Sequence, residues 1–459
     1  MGLEYLNAYL WNNGIESKVI DLKKELIKNP NYHIKKYNPE YVGTSMFHTD
    51  WNKCLNILKC AKTLGKKTVI GGYTPTAVSE LLALQHYNII DFIVRGEGEQ
   101  TLYELVSGKE LSKIDGLTYI SKSIPLTNNI SLKDYLIVNK DRKFMNIDEI
   151  PPPIRKQRKY RYKAGMSNPD KEKDVILFSR GCWGKCTFCC EPYMSRSNQR
   201  LRNPRKIVFE ILEIIEYHNN KPLHISICDP HLPIERTKWI DEIITLLPDL
   251  NNVYFSCLAR PDIIARHPDT VNKIIKKGIN CFEMGIESPS NNDLYKVKKY
   301  YPNKIHKEAI KVIHDAGGQA SGTLVIGLPN HTRNEILYCA DYAKKIGLDS
   351  CAFGIATPFH GTEFAKKFRF PNELIDLERF NEMQDTFIKR YLKFGEVEEL
   401  HTRCLVRFWL CKKIIKRNIL DILRKIRFIH HSTKQVRNFR VLHHLWYAFD
   451  EYLKFLRKS

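Results

Sequence analysis

The chain has 459 residues and carries 73 Lys/Arg against 51 Asp/Glu, a net charge of +22; that length supports two or three domains with ordinary cores. No uninterrupted apolar run reaches about eighteen residues, which argues against a membrane-spanning helix. The cysteines are scattered and no amino-terminal stretch reads as a secretory signal, so disulfide scaffolding is not expected and a reducing cytoplasm is the expected location. A charge this large suits nucleic acid, an anionic membrane or an acidic partner, and it is unevenly spread.

Residues 1–120 alternate helical and strand patterns. Tyr5 to Asn13 and Trp51 to Leu64 read as helices ending at Gly14 and Gly65. Lys18–Leu22, Tyr41–Ser45, Thr68–Ile70 and Asp91–Val94 read as strands. Such alternation predicts a doubly wound, Rossmann-like parallel sheet, which binds ligands at the carboxyl ends of its strands. Ser45, Gly71 and Gly72 fall at those ends, where bare backbone lets a flat group or a phosphate approach; tight turns explain the glycines equally well. Gly96 and Gly98 open the next helix, whose amino end favours an anion. Residues 121–173 are polar and charged, hold Pro151-Pro152-Pro153, and read as a linker.

From 174 to 370 six strand–helix units follow, with strands near Val175–Ser179, His224–Cys228, Asn252–Cys257, Cys281–Gly285, Ala320–Ile326 and Ser350–Ile355. Six right-handed units curl into a partial, TIM-like barrel with functional side chains at the carboxyl ends of its strands. Directly after the first strand stand Cys182, Cys186 and Cys189 at C-x3-C-x2-C spacing. Thiolates that close on one loop suit an iron–sulfur cluster or zinc. Zinc wants a fourth Cys or His, and the adjacent Cys190 points away from Cys189 in an extended chain. Polar residues recur at the later strand ends: Asp229, Arg260, Glu287 with Ser288, and His360, while Gly327 ends the fifth strand. Asp229 or Glu287 could equally cap a loop or helix, Arg260 could form a surface ion pair, and His360 could be a solvent-exposed loop histidine or an acid–base group.

The cysteine loop, with Phe188 before the third cysteine, resembles the signature of the radical S-adenosylmethionine (SAM) superfamily. The resemblance implies a [4Fe–4S] cluster on Cys182, Cys186 and Cys189, its fourth iron chelated by SAM. It also implies a 5′-deoxyadenosyl radical that abstracts hydrogen from substrate. By the same resemblance Asp229 meets the SAM amino group, Arg260 its carboxylate, Glu287 and Ser288 its methionine or ribose portion, and Gly327 the adenine. Gly285-Ile286-Glu287-Ser288 and Thr357-Pro358-Phe359-His360-Gly361-Thr362 match family patterns in order. Residues 1–120 resemble the cobalamin-binding domain that precedes many such cores, with Ser45, Gly71 and Gly72 lining the corrinoid's nucleotide tail. Two departures stand out. The family's first strand precedes the segment that starts here at Gly2, which leaves a gap beside the strand expected at Val19, and the cobalt-ligating Asp-x-His-x-x-Gly signature is absent. If cobalamin binds, the resemblance favours methyl transfer to an unactivated carbon or phosphorus centre of a small-molecule or peptide substrate. A flavodoxin- or ferredoxin-type protein would supply electrons. Rearrangement or cyclisation, an RNA-modifying methylthiotransferase, and a non-catalytic relic scaffold are the rival readings.

Residues 371–459 read as helical. From residue 402 onward fifteen Lys/Arg stand against three Asp/Glu. Phe408, Cys411, Ile415, Ile419, Ile422 and Ile426 share one face of a helical pattern and Lys413, Lys416, Arg417, Arg424 and Arg427 the other. The apolar face would cap the barrel, and the basic face would meet an anionic membrane surface or nucleic acid.

Overall fold

The computed structural model describes residues 1–121, 131–164, 171–368 and 377–409. It divides into two compact units, one formed by 1–161, 189–203 and 358–378, the other by 162–188, 204–357 and 379–459. The expected basic amphipathic stretch from 410 onward lies outside the described residues.

The first unit is built on a five-stranded sheet with strands in sequence order: β1 (Tyr41–Ser45), β2 (Lys67–Gly71), β3 (Phe92–Val94), β4 (Leu117–Ile120) and β5 (Leu136–Val138). The first three are parallel, and β4 and β5 add antiparallel. Val69, Phe92, Val94, Leu105, Ile114 and Leu117 form part of its core. At the start of β2, Asp91 accepts from the Thr68 N–H at 2.8 Å and pairs with Lys62 at 2.9 Å. The helices Gly2–Asn12 and Trp51–Thr63 fall where expected. Lys18–Leu22 does not form a strand. The sheet begins at β1, whose outer edge pairs with no strand among the described residues, and Val19 is left exposed; the gap anticipated beside it does not arise.

The second unit is a curled seven-stranded sheet. Short β6 (Tyr162–Lys163) pairs antiparallel with β7 (Glu172–Ile176). Then β8 (Leu223–Ile227), β9 (Val253–Ala259), β10 (Ile279–Glu287), β11 (Gln319–Ile326) and β12 (Ser350–Ile355) follow in parallel and in sequence order. All six strands expected from the sequence are present, shifted by a few residues at their ends. One face packs on the helices through Ile225, Ile227, Phe255, Phe282, Met284, Leu324 and Phe353 against Ile207, Ile211, Ile240, Ile310 and Ile336. Local signals agree with this packing. Thr332 and Glu335 form a capping box on the helix Arg333–Ile346, and Gly347 ends it at φ +93°, a left-handed position that favours glycine. The helix Glu396–Trp409 buries Val397, Leu400, Cys404 and Phe408 on that same layer, where His401 Nε2 lies 2.8 Å from the Phe353 carbonyl. In its described part the carboxyl-terminal region thus packs as a barrel cap, while 380–395 is irregular rather than helical.

Candidate active site

The loop after β7 is held from below by Asp229. Its buried carboxylate accepts from the Phe178 N–H at 2.8 Å and the Ser179 hydroxyl at 2.6 Å, fixing the chain three residues before Cys182. Both oxygens are thus engaged within the protein. Gly181 turns the chain at φ +90°. None of the three cysteines is in a disulfide, and each is neither fully buried nor fully exposed. The Gly184 N–H points to Cys182 Sγ at 3.3 Å and the Glu191 N–H to Cys189 Sγ at 3.4 Å. Phe188 is half-buried.

Trp183, between the first two cysteines, anchors the loop. Its indole N–H donates to Glu235 at 2.8 Å, and the Arg260 guanidinium lies 4.7 Å from its ring centre. Glu235 lies 3.3 Å from His231 Nε2; although burial works against it, the His231 and Trp183 hydrogen bonds hold its carboxyl down at about 2. Arg260 is itself fixed, with Nε on Asp262 at 3.0 Å and a terminal nitrogen on the Lys299 carbonyl at 3.3 Å. Burial alone would lower its pKa, but Asp262 and the Cys186 sulfur outweigh it and raise it.

Glu287 ends β10 at φ +59°, beside a register shift in the β10–β11 pairing. A left-handed glutamate costs about 1–2 kcal/mol, and strain of this kind concentrates at functional sites. Lys299 holds it there: its ammonium is 2.9 Å from the carboxylate, and both side chains are more than nine-tenths buried. Burial opposes the ammonium, yet Glu287 dominates and keeps it protonated. A Cβ at Gly285 would stand 2.8 Å from Lys299 Nζ, so a larger residue there would press on the buried pair. Trp183, Arg260, Lys299, Tyr301 and Glu287 therefore form one contiguous group. Ser288 turns aside to Asp293 at 3.0 Å. Gly327 is not in this group; a Cβ there would meet Val397 and Lys389.

In the first unit a cavity of about 570 Å³ opens beyond the carboxyl ends of β2 and β3, walled by Thr76, Arg95, Arg142, Phe144, Tyr193 and Arg196 among others. Ser45 and Gly72 stand together nearby. Gly72 has φ +100°, and a Cβ on it would lie 2.8 Å from the Met46 carbonyl and 2.9 Å from Ser45 Oγ. His360 is not a solvent-exposed loop residue. Its ring stacks on His48 at 15°, with Nδ1 3.1 Å from His48 Nε2, and burial lowers its pKa.

Lys299, Tyr301 and Trp183 are the members of this group that sequence reasoning missed. Lys299 sits in the run Lys296-Val297-Lys298-Lys299, which reads as a solvated face. Only the return of the chain to the end of β10 brings it to Glu287.

The donor sets fit the groups that the fold suggests. Three thiols with amide donors at two sulfurs, and with Arg260 and Lys299 acting electrostatically on Cys186, suit an anionic iron–sulfur cluster. Among the described residues no three or more His, Cys, Asp or Glu, the three cysteines included, are gathered closely enough to hold a metal ion. The cavity's mixture of guanidinium, aromatic and backbone groups suits part of a large, amide-fringed corrin.

A half-barrel with three thiols after its first strand, joined to a doubly wound ligand-binding unit, defines the class: an iron–sulfur radical enzyme with an appended cofactor domain. Residues 176–343 match the Radical SAM superfamily and residues 1–106 the B12 binding domain. The chain carries both domains and is a radical SAM enzyme; the first domain implies a [4Fe–4S] cluster and SAM, the second cobalamin. An uncharacterized methyltransferase of Pyrococcus horikoshii is 26% identical over 438 residues, 92% of this chain and 90% of the relative. The bacteriochlorophyllide d C-8(2)-methyltransferase of Chlorobaculum tepidum is 24% identical over 90% of this chain and 89% of its own. An anaerobic magnesium-protoporphyrin IX monomethyl ester cyclase of Rubrivivax gelatinosus is 24% identical over 82% of this chain and 67% of its own. Among solved structures, the radical SAM methyltransferase TsrM of Kitasatospora setae, with cobalamin and a [4Fe–4S] cluster bound, shares the fold. Its TM-score is 0.61 at 17% identity, over 79% of this chain and 70% of that one.

Proposed function

We propose that this enzyme is a cobalamin-dependent methyltransferase acting on an unactivated centre of a small molecule or peptide. The observation that carries the reading is the three-thiol loop after β7 on the same chain as a B12 binding domain. In this reading residues 1–120 hold cobalamin, 121–173 connect, 174–370 carry the radical chemistry and 371–459 form a basic appendage. Cys182, Cys186 and Cys189 hold the cluster, with Phe188 beside the third. When bound, the cluster and SAM supply a 5′-deoxyadenosyl radical and cobalamin a transferable methyl group. The chain's own part is to fix the loop through Asp229 and Trp183, and to present Arg260 and Glu287 with Ser288 to the charged end of SAM. Gly327 lies toward the adenine, and Ser45, Gly71 and Gly72 toward the corrinoid tail. A flavodoxin- or ferredoxin-type reductant supplies electrons, and the basic tail meets an anionic surface, membrane or nucleic acid.

Anaerobic purification with iron, sulfide and corrinoid assays tests this reading. One cluster with corrinoid and reductive cleavage of SAM supports it. Replacing Cys182, Cys186 or Cys189 by Ala abolishes cluster and cleavage, whereas Cys190→Ala keeps both. Two clusters would favour a methylthiotransferase, although residues 1–120 offer only Cys54 and Cys60 as further ligands. No cluster would favour the relic scaffold.

A further inference from the structure

The barrel strands alternate, and their two faces differ in chemistry. On β10, Phe282, Met284 and Ile286 are fully buried toward the helices, so Cys281, Glu283 and Gly285 face the opposite way. A closed barrel fills that inner face with branched apolar side chains. Here it carries hydroxyls. Ser256 donates to Ser226 at 3.2 Å and lies 3.0 Å from His224 Nε2, and Ser350 donates to Ser321 at 2.6 Å. Glu283 stands in register with Leu258 on one side and Ser321 on the other, between the two hydroxyl pairs.

Among the described residues none donates a hydrogen bond to the Glu283 carboxylate or pairs with it, although the side chain is exposed. Desolvation by the neighbouring strands pushes its carboxyl above the usual range. The cations near this face are committed or distant. Lys299 is bound to Glu287. Lys171 lies over the Tyr254 ring, and Tyr254 is four residues before Leu258, about 13 Å along the strand. Among the described residues the Glu283 carboxylate thus has no cation partner, and a partly desolvated carboxylate gains most from a charged donor.

We propose that Glu283, on the helix-free face that forms the groove of the half-barrel, binds a cationic nitrogen of the substrate, an amine or guanidine. This rests on the reading of the chain as a radical SAM methyltransferase and adds the substrate's charge class. Glu283 lies four residues before Glu287, so the amine is held deeper in the groove than the SAM-facing end of β10.

The test uses the full chain, purified anaerobically, with benzylamine and benzyl alcohol as probes of equal shape and different charge, and calorimetry as the readout. Benzylamine is expected to bind at least tenfold more tightly than benzyl alcohol. Glu283→Gln should remove that preference, and Glu283→Asp, which keeps the charge, should retain it. The inference is overturned if both probes bind wild type alike, if Glu283→Gln keeps the preference, or if Glu382→Gln, at a carboxylate beside Gly354, removes it instead. Reductive cleavage of SAM is measured on the same samples. Cleavage without amine preference sinks this inference alone, whereas a wild-type protein that prefers benzylamine but leaves SAM intact sinks the functional reading alone.

Discussion

Asp229 offers the sharpest test of how the cysteine loop is held. Replacing it with Ala leaves the Phe178 N–H and the Ser179 hydroxyl, now bonded at 2.8 and 2.6 Å, without an acceptor in a buried place. Each stranded donor costs about 1–3 kcal/mol, so Asp229→Ala should destabilise the second unit by roughly 2–6 kcal/mol. At about 2–4 °C per kcal/mol for a domain of this size, a mid-range loss of about 4 kcal/mol lowers the midpoint by roughly 8–16 °C. Asp229→Asn keeps one acceptor for Phe178, and the Ser179 hydroxyl can rotate to accept from the new amide, so its cost should be about 1 kcal/mol. Thermal unfolding of the apoprotein and iron content after reconstitution read both effects. An Asp229→Ala protein that melts within 2 °C of wild type (about 2 °C being under 1 kcal/mol) and retains as much iron would refute the tether. A stable Asp229→Asn protein that loses SAM affinity would instead give the carboxylate a direct part in holding the cofactor's ammonium.

Two further outcomes follow from buried charge. Lys299→Met should cost about 3–5 kcal/mol by stranding the Glu287 carboxylate, and the double variant with Glu287→Gln should recover much of it; additive losses in a thermal double-mutant cycle would argue against the pair. His48, His306 and His401 are held neutral by burial, with pKa values lowered to about 3, 3 and 4. The unfolded chain protonates these rings near 6.5. Between those values it therefore binds more protons than the folded chain, and stability falls as pH drops from about 6.5 towards 4. At pH 5 each ring accounts for about 2 kcal/mol. His306→Gln should make the fall in midpoint between pH 7 and pH 5 shallower, and an unchanged slope would refute its share.

The half-barrel was legible because each strand announces itself by alternation or by an apolar run between turn residues, as in Ser321–Ile326 and Ser350–Ile355. The three cysteines were legible because their spacing is local. Contacts made by chain return were not. Nothing near Lys299 in the sequence distinguishes it from Lys298, yet burial against Glu287 separates them. Asp229 read as a strand-end ligand group, and its engagement with Phe178 and Ser179 depends on β7 and β8 being neighbours. Lys18–Leu22 has the composition of a strand but bonds to no sheet, although β1 presents an open edge; strand formation needs pairing and burial, and composition reports neither.

The first unit is assembled from three stretches of chain, 1–161, 189–203 and 358–378. It is therefore not a cassette that one cut can release. A fragment ending near residue 161 would lack His360, the stacking partner of His48, and Tyr193, a wall of its own cavity. Corrinoid-binding measurements on such a fragment would report on an unfinished pocket, and grafting this domain onto another core would require transplanting loops from far downstream along with it.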